Sequence, residues 1–137
     1  MSTSHGWCSL RLRFDERELT LLRGAEQVRG VGLAHAPKPD QLRTALKLAK
    51  AGHKLGQAQA GTSISLEEAE LSLLLDAVRY GMAEIQWAAR PSDGQDTRRR
   101  AAVLSAFPEL ADQAWRTFAV ARELESLAAR LQGALTG

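Results

Sequence analysis

Four cations recur at steps of three and four residues in one stretch of this chain: Arg43, Lys47, Lys50 and Lys54. At about 100° per residue in a helix they fall within roughly a 60° arc, a ridge able to track phosphates. Arg11 and Arg13 could lie nearby. Neutralising about four phosphates of duplex DNA predicts a log–log salt slope of about −3.6. No aromatic residue interleaves with the cations, so single strands have no stacking platform. No helix-turn-helix, zinc-finger or RNA-recognition pattern accompanies them. A solvated face, or one answered by Glu67, Glu68 and Glu70, is the commoner use of such a pattern. Nucleic acid is therefore the alternative partner, not the favoured one.

Arg98, Arg99 and Arg100 form a second basic cluster, beside Asp93 and Asp96. Three arginines in the first turn of a helix oppose its dipole. The cluster suits an outside anion or an intersubunit carboxylate, but ion pairs with the two aspartates are the simpler expectation.

The other chemistry-bearing residues are scattered. His5, His35 and His53 stand in no metal-binding frame, and Cys8 alone builds neither a disulfide nor a thiolate site. No metal and no cofactor is expected. His53 is expected to be neutral and partly buried. Cys8 with His5 or His35 would make a nucleophile–base pair, but a cysteine on a strand is more often a small core residue. Glu67, Glu68 and Glu70 suit the start of a helix, and with Asp76 and Glu84 they give no carboxylate pair spaced for acid–base work. There is no Gly-rich phosphate loop, GxSxG or CxxC motif. An enzyme is the less favoured class, with a pocket holding His35 or His53 beside a carboxylate as its signature. Trp7, Trp87 and Trp115 read as core or interface residues. Trp115 lies off the main apolar seam, and Trp115 and Phe118 are the candidate interface with a second copy; the alternative for Trp115 is that the first helix covers it.

The elements that must position these residues are mostly helices. The 137 residues include 45% hydrophobic and 25% charged ones and only 5% aromatics. Leu and Ala dominate the apolar content, which favours helix over sheet. One domain is expected at this length. Charge divides along the chain: residues 1–61 carry ten Lys/Arg against five Asp/Glu, and residues 62–137 carry eight against eleven. No leader pattern and no membrane-length apolar run is evident, so a cytoplasmic protein without a membrane partner is the expectation.

Met1–Gly6 is expected to be a loose end. Alternation of Leu10, Leu12 and Phe14 with Arg11 and Arg13 predicts a strand over residues 8–14, and residues 62–65 are its expected partner. Asp15, with Glu18 three residues on, opens a helix to about Arg29, and GVGLAHAPKP (residues 30–39) reads as a loop. Asp40 caps the basic helix, which runs to about Ala60. Ala45, Ala49, Gly52 and Gly56 form a small-residue stripe there, expected to press on a neighbouring helix, with Leu42, Leu46, Leu48 and Leu55 on the flanks. Residues 65–90 carry nearly two apolar faces and predict a buried central helix with a Ser65/Glu68 capping box. PSDGQ (residues 91–95) is a loop, a short helix follows to Ala106, and Pro108 opens the last long helix. The fold class is thus mainly α: about five helices around residues 65–90, with a small two-stranded ribbon.

There is one internal echo. FDERELTLLRGA (residues 14–25) and LEEAELSLLLDA (residues 66–77) share six of twelve positions at an offset of 52. This predicts a duplicated strand–helix–helix unit with its two strands paired near a pseudo-twofold. The helices ending at Gly61 and Gly137 could complete the match. Leu/Glu-rich helix starts also resemble one another by composition alone. The functional expectation is a non-enzymatic interaction or scaffold protein that forms a homodimer through apolar helix faces or the ribbon; a separate protein partner is the variant of that reading.

Overall fold

The computed structural model describes residues 9–34, 38–90 and 96–136. The expected loose end at Met1–Gly6, the loop at residues 91–95, and Trp7, Cys8, His35 and Asp93 lie outside the described residues.

Alternating side chains make the first element a strand, β1 (Ser9–Arg13), and it pairs antiparallel with β2 (Ser63–Glu67). Between them run α1 (Glu16–Ala34) and α2 (Pro39–Gln57); after them come α3 (Glu68–Ala89), α4 (Thr97–Ala106), the single turn α5 (Glu109–Asp112) and α6 (Thr117–Thr136). The architecture is mainly α with one small antiparallel ribbon. Helix α3 is central. It packs on α1 and α6 and also meets α2, α4 and β2. Leu71, Leu74, Leu75, Val78 and Ile85 of α3 are buried, in one apolar core with Phe14, Leu22, Leu48, Leu66 and Leu124.

Capping is reciprocal at the start of α1. The Asp15 N–H donates to Glu18 Oε1 at 3.0 Å, and the Glu18 N–H donates to Asp15 Oδ1 at 2.7 Å. The equivalent at α3 is not Ser65 with Glu68. Residues 63–67 are extended, so the helix opens two residues later, and the Glu67 N–H donates to Glu70 Oε1 at 2.9 Å. Glu67 and Glu70 are the residues 52 positions beyond Asp15 and Glu18.

Other features share that relation. In the ribbon Leu12 lies opposite Ile64, again 52 residues on, so a twofold through this pair exchanges the strands. Helices α1 and α3 pack together, with Ala25 against Gly81. On the outer helices Leu48, Ala51 and Leu55 of α2 are buried, as are Leu124, Leu127 and Leu131 of α6 at matching spacing. These correspondences are what a duplicated strand–helix–helix unit closing on itself produces. The second unit is longer: α4 and α5 stand between α3 and α6.

Other boundaries differ from the sequence reading as well. Helix α2 opens at Pro39 after Lys38, so Asp40 lies in its first turn and does not cap it. Helix α1 continues through Gly30 to Ala34 instead of giving way to a loop. Gly32 serves close approach there, because the Tyr80 hydroxyl lies where a Cβ would stand. Helix α2 stops at Gln57, where the Arg23 guanidinium donates to the Leu55 carbonyl (2.8 and 3.0 Å) and the Ala58 carbonyl (3.0 Å). The last long helix does not run unbroken from Pro108. Gln113, at φ −133° and ψ 68°, ends α5, and a 3-10 turn, Ala114–Arg116, leads into α6.

Candidate interaction surface

Helix α2 turns Leu48, Ala51 and Leu55 to the core, which leaves its flank and its opposite side in solvent. Arg43, Lys47 and Lys50 are exposed on the flank, and none of them has an ion pair among the described residues. Lys54 is different. Its Nζ donates to Glu70 Oε1 at 2.6 Å and to the Ser65 carbonyl at 3.4 Å. The ridge therefore offers three cations, with an expected slope on duplex DNA of about −2.7.

Only half of the small-residue stripe of α2 meets a neighbour: Ala45 is half-buried against the core and Gly52 lies against α1. Ala49 and Gly56 are exposed, nothing lies within 4 Å of a Cβ built on Gly56, and Gly52 is met by the Glu26 side chain. The core instead lies beyond the Leu48–Leu55 edge, so Leu42 and Leu46 are 52% and 73% exposed. His53 is exposed, not partly buried.

The three arginines of α4 diverge. Asp96 caps the helix by accepting the N–H groups of Arg98 (2.9 Å) and Arg99 (3.1 Å), a local negative charge that offsets the dipole. Arg99 forks onto the buried carboxylate of Glu84, with Nε 2.9 Å from Oε1, and stacks over Trp87 at 3.7 Å. Its main partner is thus not a local aspartate. Arg100 donates to the Ala88 carbonyl, and Arg98 is exposed. The cluster does not converge on a single anion.

Behind Arg99 is a cavity of about 200 Å³ lined by Val28, Gly32, Tyr80, Glu84 and Val103 among others. Arg29 sits 4.7 Å from the Tyr80 ring. Burial, and secondarily the Glu84 charge, pushes the Tyr80 hydroxyl above its ordinary pKa, so it is a donor at neutral pH. The charges lining this cavity are committed to one another. His53 is not among its lining residues.

The fourth feature is apolar. The break at Gln113 re-aims the chain, and Trp115 and Phe118 emerge 78% and 74% exposed. With Met82, Gln86 and Ala89 of α3 and Ala121 and Arg122 of α6, the two aromatics line a groove of about 530 Å³. A shallower depression of about 470 Å³ continues along α6 past Arg122, Glu125, Ser126 and Ala129.

The turn that carries Trp115 is held from behind. Arg17 of α1 donates to Glu109 Oε1 at 2.7 Å and to both oxygens of Glu123 at 2.8 Å. Arg116 adds a contact to Glu109 at 3.3 Å, and the Thr117 hydroxyl donates to the Ala114 carbonyl at 2.7 Å. The bond to Glu123 and the two carboxylates together raise the Arg17 pKa further and keep the guanidinium charged. Both sides of the break are thereby tied to α1, so the aromatics are presented on a fixed surface. Neither is covered by the first helix.

Among the described residues no group of three or more His, Cys, Asp or Glu is placed to hold a metal ion, and no helix is long and apolar enough to cross a membrane. No protein-family model matches the chain, and no curated protein or solved structure is significantly similar to it.

Proposed function

We propose that this protein is a non-enzymatic interaction module that forms a homodimer through the surface around Trp115 and Phe118. The exposure of these two aromatics, side by side on a turn anchored by Arg17, carries the reading. Burying such a side chain is worth about 1.5–3 kcal/mol. Trp is among the residues enriched at the energetic centres of interfaces, and Phe is enriched in their buried cores. A rigid presentation also limits the ordering entropy lost on association.

The test is light scattering coupled to size exclusion, at low and at physiological salt. The expected result is a dimer for the natural sequence and a monomer for Trp115→Ser with Phe118→Ser, with helical circular dichroism unchanged. A natural chain that stays monomeric at the highest attainable concentration overturns the proposal.

The alternative is nucleic-acid binding, and the observation that favours it is the three cations Arg43, Lys47 and Lys50 without ion-pair partners. It requires a short duplex to shift the elution at low salt, and Lys47→Glu with Lys50→Glu to abolish that shift. Elution indifferent to duplex rules it out.

A further inference from the structure

The outer side of α6 repeats every three and four residues: Phe118, Arg122, Glu125, Ala129 and Gln132. This is the spacing of a helix–helix seam. Phe118, Arg122, Glu125 and Ala129 are exposed, and neither Arg122 nor Glu125 has an ion pair among the described residues; Arg122 rests 5.7 Å from the Phe118 ring. Laid antiparallel on an identical helix about a twofold, the stripe complements itself. The midpoint between Arg122 and Glu125 is also the midpoint between Phe118 and Ala129. One register therefore sets cation against anion and the largest side chain against a small one, each twice.

We propose that the homodimer forms by antiparallel packing of α6 on α6, with Arg122 facing the partner's Glu125 and Phe118 facing the partner's Ala129. This rests on the homodimer reading above and specifies its geometry. The depression beside Arg122, Glu125, Ser126 and Ala129 is the receptacle for the partner's Phe118. Trp115 then covers the end of the seam near the partner's Gln132. The two crossed ion pairs fix the register, since a slip that keeps the aromatics buried sets like charges against each other or leaves them unpaired.

The matching stripe on α2 (Leu42, Leu46, Ala49, His53 and Gly56) is the weaker candidate for self-association. Arg43, Lys47 and Lys50 flank it on one side. An antiparallel α2–α2 contact would set those flanks against each other, three cations on each. A contact of α2 with the partner's α6 that is not returned by α6 on the partner's α2 is heterologous and does not close on two copies, so it would build chains.

The test uses the full chain with Arg122→Glu, Glu125→Arg and the double reversal, in sedimentation equilibrium. Both positions are exposed, so folding is untouched, and circular dichroism checks it. Each single reversal sets like charges together in both crossed pairs and is expected to weaken dimerisation by roughly tenfold or more. The double reversal restores opposite charges and is expected to recover affinity to within a few-fold of the natural chain. If the natural chain dimerises but neither single reversal weakens it, or the double does not recover, this register is wrong while the homodimer stands. Mass that keeps growing beyond two copies replaces it with the α2–α6 contact. A natural chain that never dimerises removes the homodimer itself.

Discussion

Lys54 and Arg130 hold equivalent places in the two halves of the molecule. Lys54, near the end of α2, binds Glu70 at 2.6 Å and the Ser65 carbonyl. Arg130, near the end of α6, binds Glu18 at 2.6 and 2.7 Å and the Arg13 carbonyl, with its guanidinium 5.0 Å from the Phe14 ring. Glu18 and Glu70 are the carboxylates that accept the N–H groups of Asp15 and Glu67 at the starts of α1 and α3. Arg13 and Ser65 stand five residues before them in each strand. Each outer helix thus latches the central helix of the opposite half, which is what a twofold exchange of the two units requires.

The two latches are equivalent in place but not in energy. The Glu70 side chain is 5% exposed and that of Glu18 is 23%. Lys54→Met leaves a buried carboxylate without its cation and is expected to cost about 3 kcal/mol. Arg130→Met leaves a better hydrated one and is expected to cost about 1 kcal/mol. Urea unfolding followed by circular dichroism separates the two, and equal losses would refute the role given to burial.

Two helical glycines should respond to alanine with opposite signs. A Cβ on Gly24 would stand 2.8 Å from both the Ala106 carbonyl oxygen and Phe107 Cε1, and backbone cannot step aside cheaply. Gly24→Ala is expected to destabilise by about 1–3 kcal/mol. Gly56 has nothing within 4 Å of the added atom, so Gly56→Ala should stabilise by about 0.5–1 kcal/mol through helix propensity. Melting temperatures moving in the same direction would contradict this assignment of α4 against α1.

Burial also governs the Glu84–Arg99 pair between α3 and α4. Arg99→Met alone is expected to lose about 3 kcal/mol by stranding the Glu84 carboxylate. Adding Glu84→Leu removes the stranded charge and should recover most of that loss. A double variant no more stable than the single one would place the importance of the pair elsewhere than in desolvation.

Two carboxylates should tilt the pH dependence of stability in opposite senses. Hydrogen bonds from the Arg17 guanidinium, aided by its charge, hold the Glu123 carboxyl below its ordinary range. Its contribution is therefore complete above the ordinary glutamate pKa of about 4.3 and is lost as pH falls through the lower folded value. Burial pushes Glu26 up, so the folded state favours its neutral form and stability falls as pH rises from the ordinary value through the folded one. Glu123→Gln should lower stability at neutral pH and flatten the acid limb of the curve. Glu26→Gln should raise stability at neutral pH and change little at acid pH. Unfolding midpoints across pH 3–8 check both signs.

Periodicity carried most of the helices and the first strand, because burial of one face imposes its spacing on the sequence whatever the neighbours are. The repeat around residues 14–25 and 66–77 suggested that the two strands pair, but not through which residues: the offset of 52 suits an axis through any equivalent pair, and only the structure places it at Leu12 and Ile64. Asp15 with Glu18 marked the first helix start from residue type alone. The second start was misplaced because Ser65 and Glu68 satisfy the same local rule as Glu67 and Glu70. Only the extended pairing of β2 with β1, a contact between distant segments, decides between them.

The surface was much less legible. Spacing put Arg43, Lys47, Lys50 and Lys54 on one face, yet a lysine one turn further along reached a buried glutamate on another helix. The last helix was read as continuous from Pro108, whereas a break at Gln113, held from α1 by Arg17 through Glu109 and Glu123, separates α5 from α6. The sequence by itself determined the helical class, the ribbon and the identity of the central helix, because each follows from local spacing. Which face of α2 and α6 meets water, and which charges remain without partners, was decided only by tertiary packing, because exposure is set by what the other helices leave uncovered.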